Sequence, residues 1–290
     1  MGPVLRLAHR PLVLGAIAAA LTAPPAPVAA QPTDSAAATP SQPPAVVSSR
    51  PVLPPWTVTL SGYVNAVDNG FGTWRGQDLR ILHTGRLLSP FVQASTQTRP
   101  GGRQAALTAG SYVTLTRNLY VVAAMGVAPD RGVVLFPRRR SDLTLFLIVP
   151  RFEDLVVGGG VTDVRYTDPR IGGTIGNLTS TLYRPRAIYS ATAFVNRDRA
   201  SGALSGAWQV NAQWGQQERH WVGAGIGAGN EAYRLLLDVP FDARFSSRSA
   251  TLWATKWLAA DFGVTLRAEV EQKLDVYWRK GLSLSLFTEF

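Results

Sequence analysis

From Trp56 to the carboxy terminus the chain is cut into segments of alternating apolar and polar residues, and the breaks between them come in two kinds that also alternate. Short breaks fall at His83–Gly85, Thr116–Asn118, Pro150–Glu153, Arg184–Arg186, Gln217–His220 and Ala259–Asp261. Longer or more charged breaks fall at Asp68–Gly72, Arg99–Arg103, Pro129–Arg140, Asp168–Arg170, Arg197–Gly202, Glu231–Ser246 and Gln272–Lys280. Six of one kind and seven of the other predict fourteen strands; twelve is the alternative, because alternation blurs in Leu87–Thr98 and Ile171–Leu182. An even strand count with short turns at one end and longer loops at the other predicts a transmembrane antiparallel up-and-down β-barrel of the bacterial outer membrane, with both termini periplasmic. A soluble sandwich, the competing all-β class, has no reason to sort its turns by end.

The alternation is cleanest in three places. Leu204, Gly206, Trp208, Val210, Ala212 and Trp214 oppose Ser205, Ala207, Gln209, Asn211 and Gln213. Phe262, Val264, Leu266, Ala268 and Val270 oppose Gly263, Thr265, Arg267, Glu269 and Glu271. Leu107, Ala109, Val113 and Leu115 oppose Gln104, Thr108, Tyr112 and Thr114. In a membrane barrel the apolar set faces lipid and the polar set a wet interior. Trp56, Tyr120, Tyr183, Tyr189, Trp214, Trp221, Trp257, Phe262 and Phe290 lie near a terminus or a short break, which predicts one aromatic ring at the inner membrane interface.

The first thirty residues have the three parts of an export leader. Arg6, His9 and Arg10 open it, an apolar stretch from Pro11 to Leu21 follows, and Val28-Ala29-Ala30 supplies small residues for cleavage before Gln31. Residues 31–55 are rich in Pro, Ala, Ser, Gln and Thr, too poor in large apolar side chains to offset the entropy of folding, and read as a periplasmic spacer. The barrel domain then spans 56–290. With no cysteine, disulfides and thiolate metal sites are excluded. The chain is basic, 29 Lys and Arg against 19 Asp and Glu, but the basic residues are dispersed, and an exported protein seldom meets nucleic acid. Anionic lipopolysaccharide or an acidic polymer is the more natural partner.

Motifs for chemistry are sparse. Gly223, Gly225, Gly227 and Gly229 superficially match a dinucleotide fingerprint, but they recur at every second residue and no βαβ unit surrounds them. They read as a strand whose inner face lacks side chains, making room for long neighbours. After the leader only His83 and His220 remain, both at short breaks, so a lipid-modifying Ser–His hydrolase is a minor reading. No cluster has metal-ligand spacing, and no cofactor is expected. The ionisable residues expected inside the barrel are Asp78, Arg80, Arg267, Glu269 and Glu271, which either satisfy one another and plug the bore or set its selectivity. The loop arginines Arg99, Arg103, Arg131, Arg138, Arg139, Arg140, Arg197 and Arg199 are expected to face outward, where guanidinium groups can bridge lipopolysaccharide phosphates.

The last strand, GLSLSLFTEF, places Leu282, Leu284 and Leu286 in phase with Phe290 and Ser283, Ser285 and Glu289 on the other face. Leu284, Leu286 and Phe290 resemble the terminal signal read by the barrel-assembly machinery; Thr288 and Ser285 depart from that pattern. A wider resemblance lies in FGTWRGQDLR and LLSPFVQASTQTRPGGRQAALTAGSYVTLTRNLYVVAAMG. Through Gly72, Trp74, Arg99, Gln104, Gly110, Tyr112, Asn118 and Tyr120, these stretches resemble the YaiO family of outer-membrane barrels. The resemblance implies an outer-membrane location and an association with envelope polysaccharide export, and it carries over no catalytic residue. Some members have a helical-repeat region ahead of the barrel, where this chain has only the spacer. The resulting expectation is a non-enzymatic barrel serving as a conduit or accessory for saccharide or another small solute, with a plugged envelope-structural or surface-interaction barrel as the alternative.

Overall fold

The computed structural model of the protein describes residues 55–129, 135–216, 218–234, 242–273 and 276–290. The leader, the spacer up to residue 54, and Arg131 lie outside the described residues. Fourteen strands follow one another along the chain. They are β1 (Trp56–Val67), β2 (Gly72–His83), β3 (Leu88–Arg99), β4 (Gly102–Thr114), β5 (Leu119–Val127), β6 (Arg139–Ile148) and β7 (Leu155–Arg165). Then come β8 (Gly172–Arg184), β9 (Ala187–Asp198), β10 (Leu204–Gln216), β11 (His220–Arg234), β12 (Asp242–Trp257), β13 (Phe262–Lys273) and β14 (Tyr277–Glu289). Each pairs antiparallel with its neighbours in sequence, and β1 pairs with β14, so the sheet closes into a barrel without an edge. The count is fourteen because both blurred stretches form full strands. In β3 the alternation is masked by Phe91 on the inner face and by Thr96 and Thr98 on the outer one.

The seam between β1 and β14 is in register along its length, with Leu60 opposite Leu286 and Ser61 opposite Ser285. On the inner side the Ser61 hydroxyl donates to Ser285 Oγ at 2.8 Å. At the end of the seam Trp56 N–H donates to the Phe290 carbonyl at 2.9 Å, and Phe290 N–H returns the bond to Trp56 at 3.0 Å. Leu284, Leu286 and Phe290 all point out of the barrel, as their phase requires.

The outer wall is apolar all round. Leu60, Leu107, Leu143, Leu178, Ile226, Leu252 and Leu266 each leave at least half of their surface uncovered. No water-soluble protein tolerates an apolar belt of this extent, whereas a barrel in lipid requires one. Among the described residues no helix is long and apolar enough to cross a membrane; the strands do so.

Two features depart from the pattern the sequence suggests. First, the aromatics near the terminal end do not form one outward ring. Trp56, Tyr189, Trp214, Phe262 and Phe290 point outward, whereas Tyr120, Trp221 and Trp257 are buried inside and Tyr183 packs against them. Position along the barrel axis does not fix the face; the parity of each residue within its strand does. Second, the connections at the far end are not uniformly long. Arg99–Arg103 reduces to the turn Pro100-Gly101, with Gly101 at φ 100°. The breaks read at Glu231–Ser246 and Gln272–Lys280 are invaded by β11, β12, β13 and β14. The connection from β5 to β6 is tied back to the inner wall. Gln104 Oε1 accepts from Leu135 N–H and Phe136 N–H, both at 2.6 Å, and its Nε2 donates to the Pro129 carbonyl at 3.0 Å.

Candidate functional site

The interior divides along the barrel axis. In the half nearest the termini, apolar side chains form adjoining clusters on the inner face. Leu82, Phe91 and Tyr112 meet Val122, which also touches Tyr120, Phe146, Ile148 and Val156. Tyr183 joins that group to Ile188, Trp221, Trp253, Trp257 and Phe287. The rings of Tyr120 and Phe146 stack at 4.8 Å, and Trp257 meets Phe287 edge-on at 5.1 Å. The strands absent from these clusters supply Thr59, Gln213 and Thr265 at the same level. Trp221 is fully buried, and Tyr112, Tyr120, Phe146 and Phe287 are nearly so. Val122 and Tyr183 are half-buried between these groups, so the inner face of this half is lined by packed side chains.

The glycine stripe serves that packing. Trp253 lies over Gly223 and donates its indole N–H to Gln213 Oε1 at 3.3 Å, two strands away. One rung further in, Asn211 covers Gly225 so closely that a Cβ there would stand 2.1 Å from Asn211 Oδ1.

Beyond this layer the interior is polar. Asp78 and Arg80 point inward, and both are buried. Asp78 Oδ1 accepts from Ser95 Oγ at 2.5 Å and Gln93 Nε2 at 3.3 Å, while Arg80 Nη2 donates to Tyr112 Oη at 3.3 Å and stacks on Phe91. Arg267, Glu269 and Glu271 also point inward, separated from the first pair by β14 and β1, and the structure adds two cations to them. Arg279 reaches Glu271 at 2.7 Å and Glu269 at 3.6 Å; Arg267 lies 3.7 Å from Glu269 and Lys273 3.9 Å from Glu271. Two carboxylates therefore sit among three cations at the β13–β14 rungs. Gly281 leaves the gap over which Glu269 and Asn65 converge. Extending the period-two pattern from Arg267, Glu269 and Glu271 to Lys273, and from Ser283 back to Arg279, was the signal for the missing partners.

Arg99 and Arg140 are not outward loop cations. The tight Pro100-Gly101 turn leaves Arg99 at the last inward position of β3, where it is buried, bonded to Gln97 Oε1 at 3.2 Å and stacked over Trp74 at 4.0 Å. Arg140 lies on the inner parity of β6 and binds Asp142, whose Oδ1 also accepts from Thr162. Arg103, Arg138 and Arg139 are exposed, as are Arg197 and Arg199.

Between the two ends, β8, β9 and β10 carry an amide and hydroxyl wall in which Thr179 is buried and Ser190, Thr192, Gln209 and Asn211 are half-buried. Thr179 and Thr192 share a 3.0 Å hydrogen bond, Gln209 donates to Asn211 Oδ1 at 3.1 Å, and Asn211 donates to Ser190 Oγ at 3.4 Å. His83 packs edge-on against Trp56 at 4.6 Å, and His220 is exposed on β11, five strands away around the wall. Among the described residues no three His, Cys, Asp or Glu side chains converge to hold a metal ion.

Known proteins share this architecture. The CymD monoaromatic hydrocarbon channel is similar at a TM-score of 0.51 and 10% identity, covering 82% of this chain and 89% of its own. A bacterial polysaccharide outer membrane secretin is similar at 0.55 and 9%, covering 83% and 100%. The outer membrane protein Omp33 of Acinetobacter baumannii is similar at 0.50 and 9%, covering 81% and 98%. Identities this low show the shared barrel fold and nothing finer. No curated protein matches the sequence. The profile of the YaiO membrane beta barrel domain, however, matches residues 56–234, which takes in β1 to β11. With the closed antiparallel barrel and its lipid-facing belt, this match identifies the chain as a member of the YaiO family of integral outer-membrane β-barrels.

Proposed function

We propose that the protein is a non-enzymatic outer-membrane barrel shut in its periplasmic half, with an envelope-structural or surface-facing role and no standing pore. The observation that supports this reading is the layer of buried side chains around Tyr120, Trp221 and Phe287, with half-buried Tyr183 packed between them. Against catalysis stand the placements of His83, spent on Trp56, and of His220, in solvent and far from it. Planar-bilayer recording tests the proposal. The wild-type protein is expected to give no stable single-channel current, and a steady conductance would overturn it.

A second reading, an accessory or gated passage for saccharide, is favoured by the half-buried wall of Thr192, Gln209 and Asn211. Its donors and acceptors suit a ligand rich in hydroxyl groups. On that reading the wall belongs to a cup open on the outer side, and oligosaccharide should quench or shift tryptophan emission in the wild type but not after Asn211→Leu.

A further inference from the structure

The outer wall carries a cationic site that the interior does not explain. Across β6 to β9 the strand register lines up three rows of outward-facing residues. The lowest is apolar: Leu143, Val161, Gly176 and Val195. The next holds Ser141, Asp163, Thr174 and Arg197. The outermost places Arg139 directly opposite Arg165, then Gly172, and Arg199, whose backbone N–H bonds to the Gly172 carbonyl at 3.0 Å. Asp163 gathers two of the four arginines: Oδ2 accepts from Arg165 Nε at 2.6 Å and Oδ1 from Arg199 Nη2 at 2.5 Å. Among the described residues neither Arg139 nor Arg197 has a carboxylate partner, and both are exposed.

Like charges directly opposite on adjacent strands destabilise the pair, and the repulsion grows beside a low-dielectric phase. One carboxylate among four guanidinium groups leaves the patch cationic. Gly172, between Arg165 and Arg199, is buried. The patch begins one rung above Val161 and Val195, and exposed apolar side chains flank it, with Val127 opposite Arg139 and Leu204 opposite Arg197. Guanidinium groups held in this way offer paired N–H donors that match phosphate oxygens.

We propose that Arg139, Arg165, Arg197 and Arg199, with Asp163 orienting two of them, form a binding site for the phosphate of an outer-leaflet glycolipid headgroup. The site lies outside the barrel and is independent of whether the lumen conducts.

The test uses full-length protein in detergent, bisphosphorylated lipid A and the same lipid stripped of its phosphates, with binding read by native mass spectrometry. The wild type is expected to retain the phosphorylated lipid and to bind the stripped one about tenfold more weakly. R139Q/R197Q, which keeps the Asp163 contacts, should lose about tenfold for the phosphorylated lipid. R75Q/R248Q removes the same charge from exposed positions elsewhere on the wall and should bind as the wild type does. All three proteins should show the same heat-modifiable gel mobility. Equal binding of stripped lipid, equal loss in the two double variants, or displacement of the lipid by millimolar inorganic phosphate would each overturn the proposal.

Discussion

Trp253 and Gln213 are joined by a 3.3 Å hydrogen bond that passes over β11, and Gly223 is the residue they pass over. A Cβ at position 223 would stand 2.3 Å from two atoms of the indole. Gly223→Ala is therefore expected to displace Trp253 and break the bond, at a cost of about 1–3 kcal/mol in the range of core overpacking. Urea unfolding in lipid vesicles, followed by tryptophan fluorescence, measures it. An unchanged midpoint would show that the ring yields freely.

Trp221 and Phe287 are the most deeply buried rings of the packed half. Truncating both to alanine removes the bulk that occupies the lumen there, so the double variant should show a conductance that the wild type lacks. A silent variant that still folds would mean that the remaining side chains are enough to close the barrel.

Glu269 and Glu271 hold Arg267, Lys273 and Arg279 together on the inner wall. E269Q/E271Q leaves those cations without their counter-charges in a largely buried setting. The expected loss is on the order of 3 kcal/mol, as when one side of a buried ion pair is removed. Equilibrium unfolding reads it directly, and the loss should shrink if Arg279 is replaced by Met in the same background.

Leu266 faces lipid and its neighbour Arg267 faces the interior. Leu266→Arg puts a charge into the hydrocarbon and is expected to cost about 2–4 kcal/mol if it lies near the midplane. The same folding assay separates it from Thr59→Ser on the inner wall, which removes one buried methyl group and should cost about 1 kcal/mol.

Phe290 closes the last rung with Trp56 and presents its ring to the membrane interface. Deleting it should lower the amount of folded, heat-modifiable protein in the outer membrane. Wild-type levels would show that assembly does not read this residue.

The barrel, its strand number and the faces of its clean strands were legible because a period of two has only two solutions and a buried or lipid-facing set fixes which. The fate of the aromatics was not read, although part of it was available. Trp221 shares the parity of Gly223 and Gly225, which are inward, so its ring belongs inside. Tyr120 offered no such guide, because LYVVAAMGV has no polar face to mark the lumen. Arg99 was misplaced for a different reason: a charged Pro-Gly segment looks like a long loop when its turn spans only two residues. Arg279 and Lys273 were hidden by the charge density of residues 272–280, which resembles a solvated loop until the acidic neighbours across the rung are known. Contacts such as Trp253 with Gln213 span three strands and depend on register, which no single strand encodes.

The strand order also has a consequence in time. Every ladder but one joins strands that are neighbours in sequence and can form as a hairpin as soon as its turn is made. The exception, β1 with β14, spans the whole domain. Until the last strand arrives, the growing sheet has two unsatisfied edges that lipid cannot hydrate, so partial products gain little from inserting early. Closure of that one ladder is then expected to be the committing event of biogenesis, and the population should pass from unfolded to sealed with few stable species between.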